Sequence, residues 1–283
     1  MSAVIEVEDL SFRYQGGKTR VLKNIGFQVE RGEFFCIIGS NGSGKSSLCN
    51  ALVGLIPSYF RGRMRGRIRI MGEDTQDTTV AKLAGKIGLV FQNPFNQLSY
   101  TADTVEEELA YGLTNIGMPR EEMKERVHAI AKIIRVERLM RKSPLELSGG
   151  QVQRVAIGSV LVMAPQVLVL DECTTQLDPL GSEEIFDIVK GLNSQGITVV
   201  MVDHDMERVA RYADRIMAME GGTVLAIDTP AAIFGDIGLT AKGVDIPDYS
   251  RFSLALAAEG LYSGSVLSTE TGAVRVGRNL LGK

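Results

Sequence analysis

With 283 residues, the chain has room for one large domain, or for one domain and a small appendage. Apolar residues at 45%, charged residues at 23% and 31 Gly against 8 Pro predict a folded chain rich in tight turns and exclude a disulfide miniprotein. A formal net charge of −3, from 31 basic and 34 acidic side chains, excludes a surface adapted as a whole to nucleic acid or anionic lipid, while leaving a local patch open.

The chain opens on MSAVIEVEDL, whose Glu6, Glu8 and Asp9 stand where an export signal needs a basic start, so no signal peptide is expected. Apolar and polar residues alternate through VIEVEDLSFRY, and VLKNIGFQVERG repeats the pattern, which predicts two paired antiparallel strands. FFCIIG is an unbroken apolar run, as in a strand buried on both faces of a parallel sheet. From Ser46 to Leu55, apolar residues at 48, 51, 52 and 55 recur at helical spacing until Gly54 and Pro57 stop them. RGRMRGRIRI places Arg61, Arg63, Arg65, Arg67 and Arg69 at period two, so a strand would carry all five on one face. Two readings stand for this stripe: a solvated edge strand protected by charge, or contact with an acidic partner or lipid headgroups.

From Thr104 to about Lys142, Glu106, Glu107, Glu108, Glu121 and Glu122 sit among helical patterns, and a helical subdomain is expected over about 104–160. His128 in this stretch reads as a surface or boundary residue. The longest uncharged run, Val155 to Leu170, spans 16 residues and contains Gly158 and Pro165, so no membrane span is expected. QVLVL and ITVVMV read as two further buried strands around a helix from Ser182 to Leu192. After Gly221 and Gly222 comes a short strand, and the main domain is expected to fill 1–235. A small α+β appendage follows over 236–283, with a helix in PDYSRFSLALAAEG and a hairpin in STETGAVRVG around Thr271 and Gly272. Cys36, Cys49 and Cys173 form no CxxC pair and are odd in number, which argues against a zinc cage or a disulfide framework and suits a reducing compartment. All three read as packing residues.

Gly39-Ser40-Asn41-Gly42-Ser43-Gly44-Lys45-Ser46 satisfies GxxxxGK[ST] between a buried strand and a helix. Loop N–H groups can surround phosphate oxygens, Lys45 supplies a point charge, Ser46 can hold magnesium, and Ser47 lies within the same binding segment. A nucleoside triphosphate is the expected ligand. Val167 to Leu170 followed by Asp171 and Glu172 places two carboxylates at the end of a strand, Asp171 for magnesium and Glu172 to polarise an attacking water.

LSGGQ at Leu147, Ser148, Gly149, Gly150 and Gln151 precedes that strand, and with it the whole chain resembles the ATP-binding cassette (ABC) ATPases. The resemblance identifies Gln92 in VFQNP as the Q-loop glutamine, a magnesium and catalytic residue. It also identifies Asp178 as the D-loop aspartate, His204 as the switch histidine and Tyr14 as the aromatic that stacks on adenine. It implies a P-loop NTPase fold of ABC type, α/β with a mixed central sheet, an antiparallel β subdomain and a helical subdomain. It also implies ATP and Mg²⁺ as ligands. Two ATPase subunits would sandwich two nucleotides, with Ser148, Gly149, Gly150 and Gln151 of one facing Lys45 of the other.

The segment VFQNPFNQLSYTADTVEEELAYGLTNIGMPREEM, together with GVDIPDYSRFSLALAAEGL, is similar to the energising ATPases of energy-coupling factor (ECF) transporters for vitamins and transition metals. That likeness implies a transmembrane coupling protein and a substrate-capturing membrane subunit as partners, at the cytoplasmic face of the membrane. It also implies that the appendage serves dimerisation and that Phe95, Asn96 and Tyr100 beside Gln92 form the coupling groove. Phe95 departs from the aspartate common at its position, and Asp203 before His204 is unusual. The alternatives are the ATPase of another ABC importer, a soluble ABC protein acting on DNA or ribosomes, and a nucleotide kinase. A kinase has no use for LSGGQ, and no nucleic acid is expected as partner.

Overall fold

The computed structural model describes residues 3–282. β1 (Ala3–Tyr14) and β2 (Leu22–Glu30) pair antiparallel, as their alternation requires, and β3 (Phe34–Gly39) then enters a second sheet. α1 (Lys45–Leu52) follows, after which β4 (Gly62–Ile70) returns to pair antiparallel with β1, and the two-residue β5 (Glu73–Asp74) pairs with its end. The short α2 (Val80–Leu83) leads to β6 (Ile87–Val90). α3 (Val105–Asn115), α4 (Arg120–Ile133) and α5 (Gly149–Leu161) form the helical excursion before β7 (Val167–Asp171). α6 (Pro179–Ser194), β8 (Thr198–Val202), α7 (Met206–Tyr212), β9 (Arg215–Glu220) and β10 (Thr223–Asp228) complete the second sheet, whose order is β10-β9-β3-β8-β7-β6. Strands β6, β7, β8, β3 and β9 run parallel and β10 antiparallel, so this sheet is mixed, as expected.

The apolar runs of β3, β7 and β8 have no alternation because both faces of their sheet are covered. Phe35, Ile37, Val167, Val169, Val200 and Val202 join the core under β1, β2 and α1. Phe34, Cys36, Ile38, Leu168, Leu170, Val199 and Met201 join the core under the helices. That pleat sets the chemistry at the strand ends, since Asp171 shares the parity of Val167 and Val169 and so falls on the α1 side. Within the helical excursion, α3, α4 and α5 meet at Gly158, where a Cβ would stand 2.4 Å from Ile134 Cδ1 and 2.8 Å from Leu109 Cδ2.

The C-terminal stretch carries α8 (Pro230–Gly235), α9 (Ile237–Ala241), α10 (Asp248–Ala258) and α11 (Glu270–Leu280). Ile233, Phe234, Leu239, Val244 and Ile246 are buried in the helix-side core, and Tyr249 Oη donates to Glu207 O at 3.0 Å. The hairpin expected around Thr271 and Gly272 is instead the start of α11. Thr269 Oγ1 accepts from Gly272 N at 3.3 Å as an N-cap, so the Thr-Glu-Thr-Gly sequence is cap chemistry and not a turn. The appendage is accordingly helical among its described residues, and not α+β.

Candidate functional site

β3 ends at Gly39, and the loop to α1 needs backbone that side chains obstruct. Gly39 has φ 147°, and a Cβ there would lie 2.2 Å from Met219 O; Gly44 has φ 103°, and its Cβ would lie 2.8 Å from Val21 O. The loop therefore wraps tightly before the first N–H groups of α1, which an anion can share. Lys45 is 4% exposed, and its Nζ donates to Gly39 O at 2.8 Å and Ser40 O at 3.1 Å, so the ammonium is held under the loop. Ser43 is also buried, and its Oγ has no hydrogen-bond partner among the described residues.

Three strand ends converge on this loop. Asp171 at the end of β7 accepts from Ser46 Oγ at 3.2 Å. Burial pushes the Asp171 carboxyl up to about 6; the Ser46 hydroxyl opposes the shift and the Glu172 charge adds to it. Glu172 follows with φ 50°, a left-handed conformation costly for a residue with a Cβ. Its Oε2 accepts from Gln92 Nε2 at 2.8 Å, and its Oε1 lies 2.6 Å from His204 Nε2 and 3.6 Å from Lys45 Nζ. Gln92 follows β6 and His204 follows β8, so one carboxylate gathers the ends of three adjacent strands and the phosphate-type loop. Val21, Asn41, Gly42, Lys45, Ser46, Gln92, Glu172, Thr175 and His204 line a cleft of about 570 Å³.

Tyr14 is tied to the edge of this assembly, its Oη 3.0 Å from Ser47 Oγ and its ring edge-on to Phe12 at 4.8 Å. Ser148, Gly149, Gly150 and Gln151 do not line the cleft. They cap α5, where Ser148 N donates to Gln151 Oε1 at 3.1 Å, and Ser148 and Gly149 face solvent. Asp178 caps α6 through Gly181 N at 2.7 Å and is likewise exposed and outside the cleft. Burial raises the thiols of Cys36, Cys49 and Cys173, in keeping with packing residues.

Several contributors escape sequence reasoning. Thr174 Oγ1 donates to Asp203 Oδ2 at 2.8 Å and Asp205 N to Asp203 Oδ1 at 2.8 Å, a buried link between the segments carrying Glu172 and His204. Burial raises the Asp203 carboxyl, and those two donors counter the shift. Glu108, among the acidic residues of α3, turns inward and accepts from Ser99 N and Ser99 Oγ, both at 2.8 Å, anchoring the loop after Gln92. Val21 and Thr175 line the cleft although both stand outside the motifs, so nothing in the sequence marks them as cleft residues.

Residues 22–175 match the family described as ABC transporter. The chain belongs to that family. An energy-coupling factor transporter ATP-binding protein EcfA1 of Geobacillus kaustophilus is 40% identical over 261 residues, 91% of this chain and 90% of the relative. The solved structure of cbiO1 from Clostridium perfringens, described as part of the ABC transporter complex cbiONQ, superposes with TM-score 0.74. It is 35% identical and covers 86% of this chain and 94% of that one. A dimeric post-hydrolysis state of the ATP-binding cassette MJ0796, bound to ADP and Pi, superposes with TM-score 0.70 at 30% identity, covering 80% of this chain and 98% of that one. This ABC ATPase thus binds ATP and couples its hydrolysis to transport.

Proposed function

We propose that the chain is the energising ATPase of an ECF-type importer of a vitamin or transition-metal ion, peripheral to the cytoplasmic face of the membrane. The observation that carries the catalytic part is the Glu172 carboxylate held between Gln92, His204 and Lys45. In this reading the 39–46 loop and Ser47 bind the triphosphate, Lys45 neutralises its terminal charge and Tyr14 meets the adenine. Glu172 takes the proton of the attacking water as the γ-phosphoryl group leaves the β-phosphate oxygen, and His204 orients that exchange. Ser46, Asp171 and the Gln92 amide oxygen are hard oxygen donors suited to Mg²⁺, which keeps most of its ligands as water and phosphate. When bound, that ion supplies charge neutralisation at the β- and γ-phosphate oxygens.

The start of α5 from Ser148 to Gln151, where Ser148 and Gly149 are exposed, and the exposed Asp178 complete the site across a second ATPase subunit, identical or related. The dimeric form of the similar cassette MJ0796 supports this arrangement. The domain division follows the same reading, with a nucleotide-binding domain over 1–235, its helical subdomain over about 104–160, and an appendage over 236–283 serving the dimer.

Among the described residues no helix is long and apolar enough to cross a membrane, so the conduit belongs to other chains in this reading: a coupling protein and a substrate-capturing subunit. Phe95 and Tyr100 are 39% and 62% exposed in a loop held by Gln97, whose Oε1 accepts from Phe91 N and whose Nε2 donates to Leu89 O, both at 3.3 Å. An apolar hollow of about 270 Å³, lined by Leu55, Val80, Leu89, Phe91, Val160 and Met163, offers a seat for a coupling helix. Detergent extraction of the tagged chain should bring down two integral membrane proteins. Replacing Phe95 and Asn96 by alanine should release them and stop uptake while basal ATP hydrolysis persists. Capture of ribosomes or DNA and no membrane protein contradicts the reading.

A further inference from the structure

Strands β1 and β4 place opposite charges together at one end and like charges together at the other. Glu6 stands opposite Arg69 and Glu8 opposite Arg67. Arg69 Nη1 lies 2.8 Å from Glu8 and 3.8 Å from Glu6, while Arg67 reaches Asp74 at 3.9 Å. At the far end Arg13 stands directly opposite Arg63, and Ser11 opposite Arg65. Like charges at opposed positions destabilise a strand pair. Yet among the described residues no ion pair includes Arg13, Arg63 or Arg65. Lys18 and Arg20, from the turn between β1 and β2, close over the same place. These five cations and Ser11 line a hollow of about 270 Å³ into which no carboxylate projects.

Edge protection accounts for part of this. β5 pairs only with Arg69 and Ile70, so β4 presents an open edge along most of its length, and charge there discourages pairing with another chain. It does not account for Arg13, which sits on β1 between two partners, or for Lys18 and Arg20 converging from a turn. In a chain of net charge −3, five uncompensated cations around one concavity are a local concentration and not a general surface property.

We infer that this hollow binds a small anion carrying several phosphate charges. Guanidinium forks match phosphate oxygens two at a time, and such an anion removes the Arg13–Arg63 repulsion that the strand register imposes. The hollow is separate from the ATP cleft. Ser11 and Arg13 face it from one side of β1, whereas Tyr14, of opposite parity, bonds Ser47. The phosphates can come from a soluble polyphosphate or from the headgroup of an anionic lipid, and the two sources are separable.

The test uses the full chain carrying Lys45→Ala, which silences the phosphate loop, titrated calorimetrically with tripolyphosphate at low salt. One anion per chain should bind, and adding R63A and R65A should weaken it on the order of tenfold for each arginine removed. K18A with R20A should weaken it similarly, and R63A/R65A with Lys45 intact should hydrolyse ATP at the parent rate, which shows that the fold survives. In parallel, flotation with phosphatidylglycerol vesicles, against phosphatidylcholine vesicles, reads the lipid source. Flotation lost in R63A/R65A without tripolyphosphate binding assigns the phosphate to lipid. Neither flotation nor tripolyphosphate binding, or binding unchanged in R63A/R65A, overturns the inference. Affinity that grows with the length of an oligonucleotide, in place of saturation by one small anion, also overturns it, because a nucleic-acid track would then be the ligand.

Discussion

Glu172→Gln keeps the length of the side chain and removes its charge and basicity. Glu172 accepts Gln92 Nε2 at 2.8 Å on one oxygen and meets His204 Nε2 at 2.6 Å and Lys45 Nζ at 3.6 Å on the other. A glutamine offers one acceptor oxygen, so its NH₂ replaces either the oxygen that accepts from Gln92 Nε2 or the one that faces Lys45 and His204, and that side loses its anionic acceptor. The backbone at φ 50° is as accessible to Gln as to Glu, so the fold carries no new strain. The kinetic loss is larger than the structural one. A positioned base contributes about 100- to 10,000-fold, which corresponds to roughly 3–5 kcal/mol of barrier at about 1.4 kcal/mol per decade. Lys45 keeps its two carbonyl partners, so the triphosphate still finds its counter-charge. Quenched-flow measurement of single-turnover phosphate release at saturating ATP, with ATP affinity determined on the same preparation, separates the two effects. The expected result is hydrolysis slowed within that range and affinity preserved. Hydrolysis at the parent rate, or a loss explained wholly by weaker ATP binding, refutes the assignment of Glu172 as base.

Asp171 makes stability depend on pH. Burial raises its carboxyl from an ordinary 3.8 to about 6, so the folded chain holds this proton more tightly than the unfolded one. The resulting stabilisation is present below about pH 3.8 and is lost as pH rises through about 6, a change of roughly 3 kcal/mol. Urea denaturation in EDTA without nucleotide should show wild type losing that amount relative to Asp171→Asn between about pH 4 and 6; parallel pH curves would count against it. Thr174→Val leaves the buried Asp203 oxygen without its donor and should cost about 1–3 kcal/mol in the same assay. An unchanged urea midpoint would show that this link contributes nothing.

Much of the cleft is legible in the sequence because each of its pieces is a short contiguous motif with its own backbone or burial requirement. A loop that must pass close to Met219 O and Val21 O can use only glycine at 39 and 44, and a strand buried on both faces must be apolar until its carboxylates emerge. What is not legible depends on tertiary contact. Glu108 reads like Glu106 and Glu107, yet only it turns inward to hold Ser99. Asp203 acquires meaning only when Thr174, 29 positions away, is placed beside it. The 270–280 segment misleads because Val274 and Val276 alternate like a strand while Ala273, Val276 and Leu280 also fit a helix, and a short run satisfies both periods. The arginine stripe shows its alternation in sequence but not that Arg13, Lys18 and Arg20 converge on it.

The account rests on the cleft between the 39–46 loop and the Asp171, Glu172 and His204 strand ends being the ATP site, and Lys45→Ala tests that most directly. Equilibrium titration with MgATP should show one nucleotide bound per wild-type chain and no tight binding by the variant, with hydrolysis abolished. A Lys45→Ala chain that binds and hydrolyses ATP like wild type would contradict it.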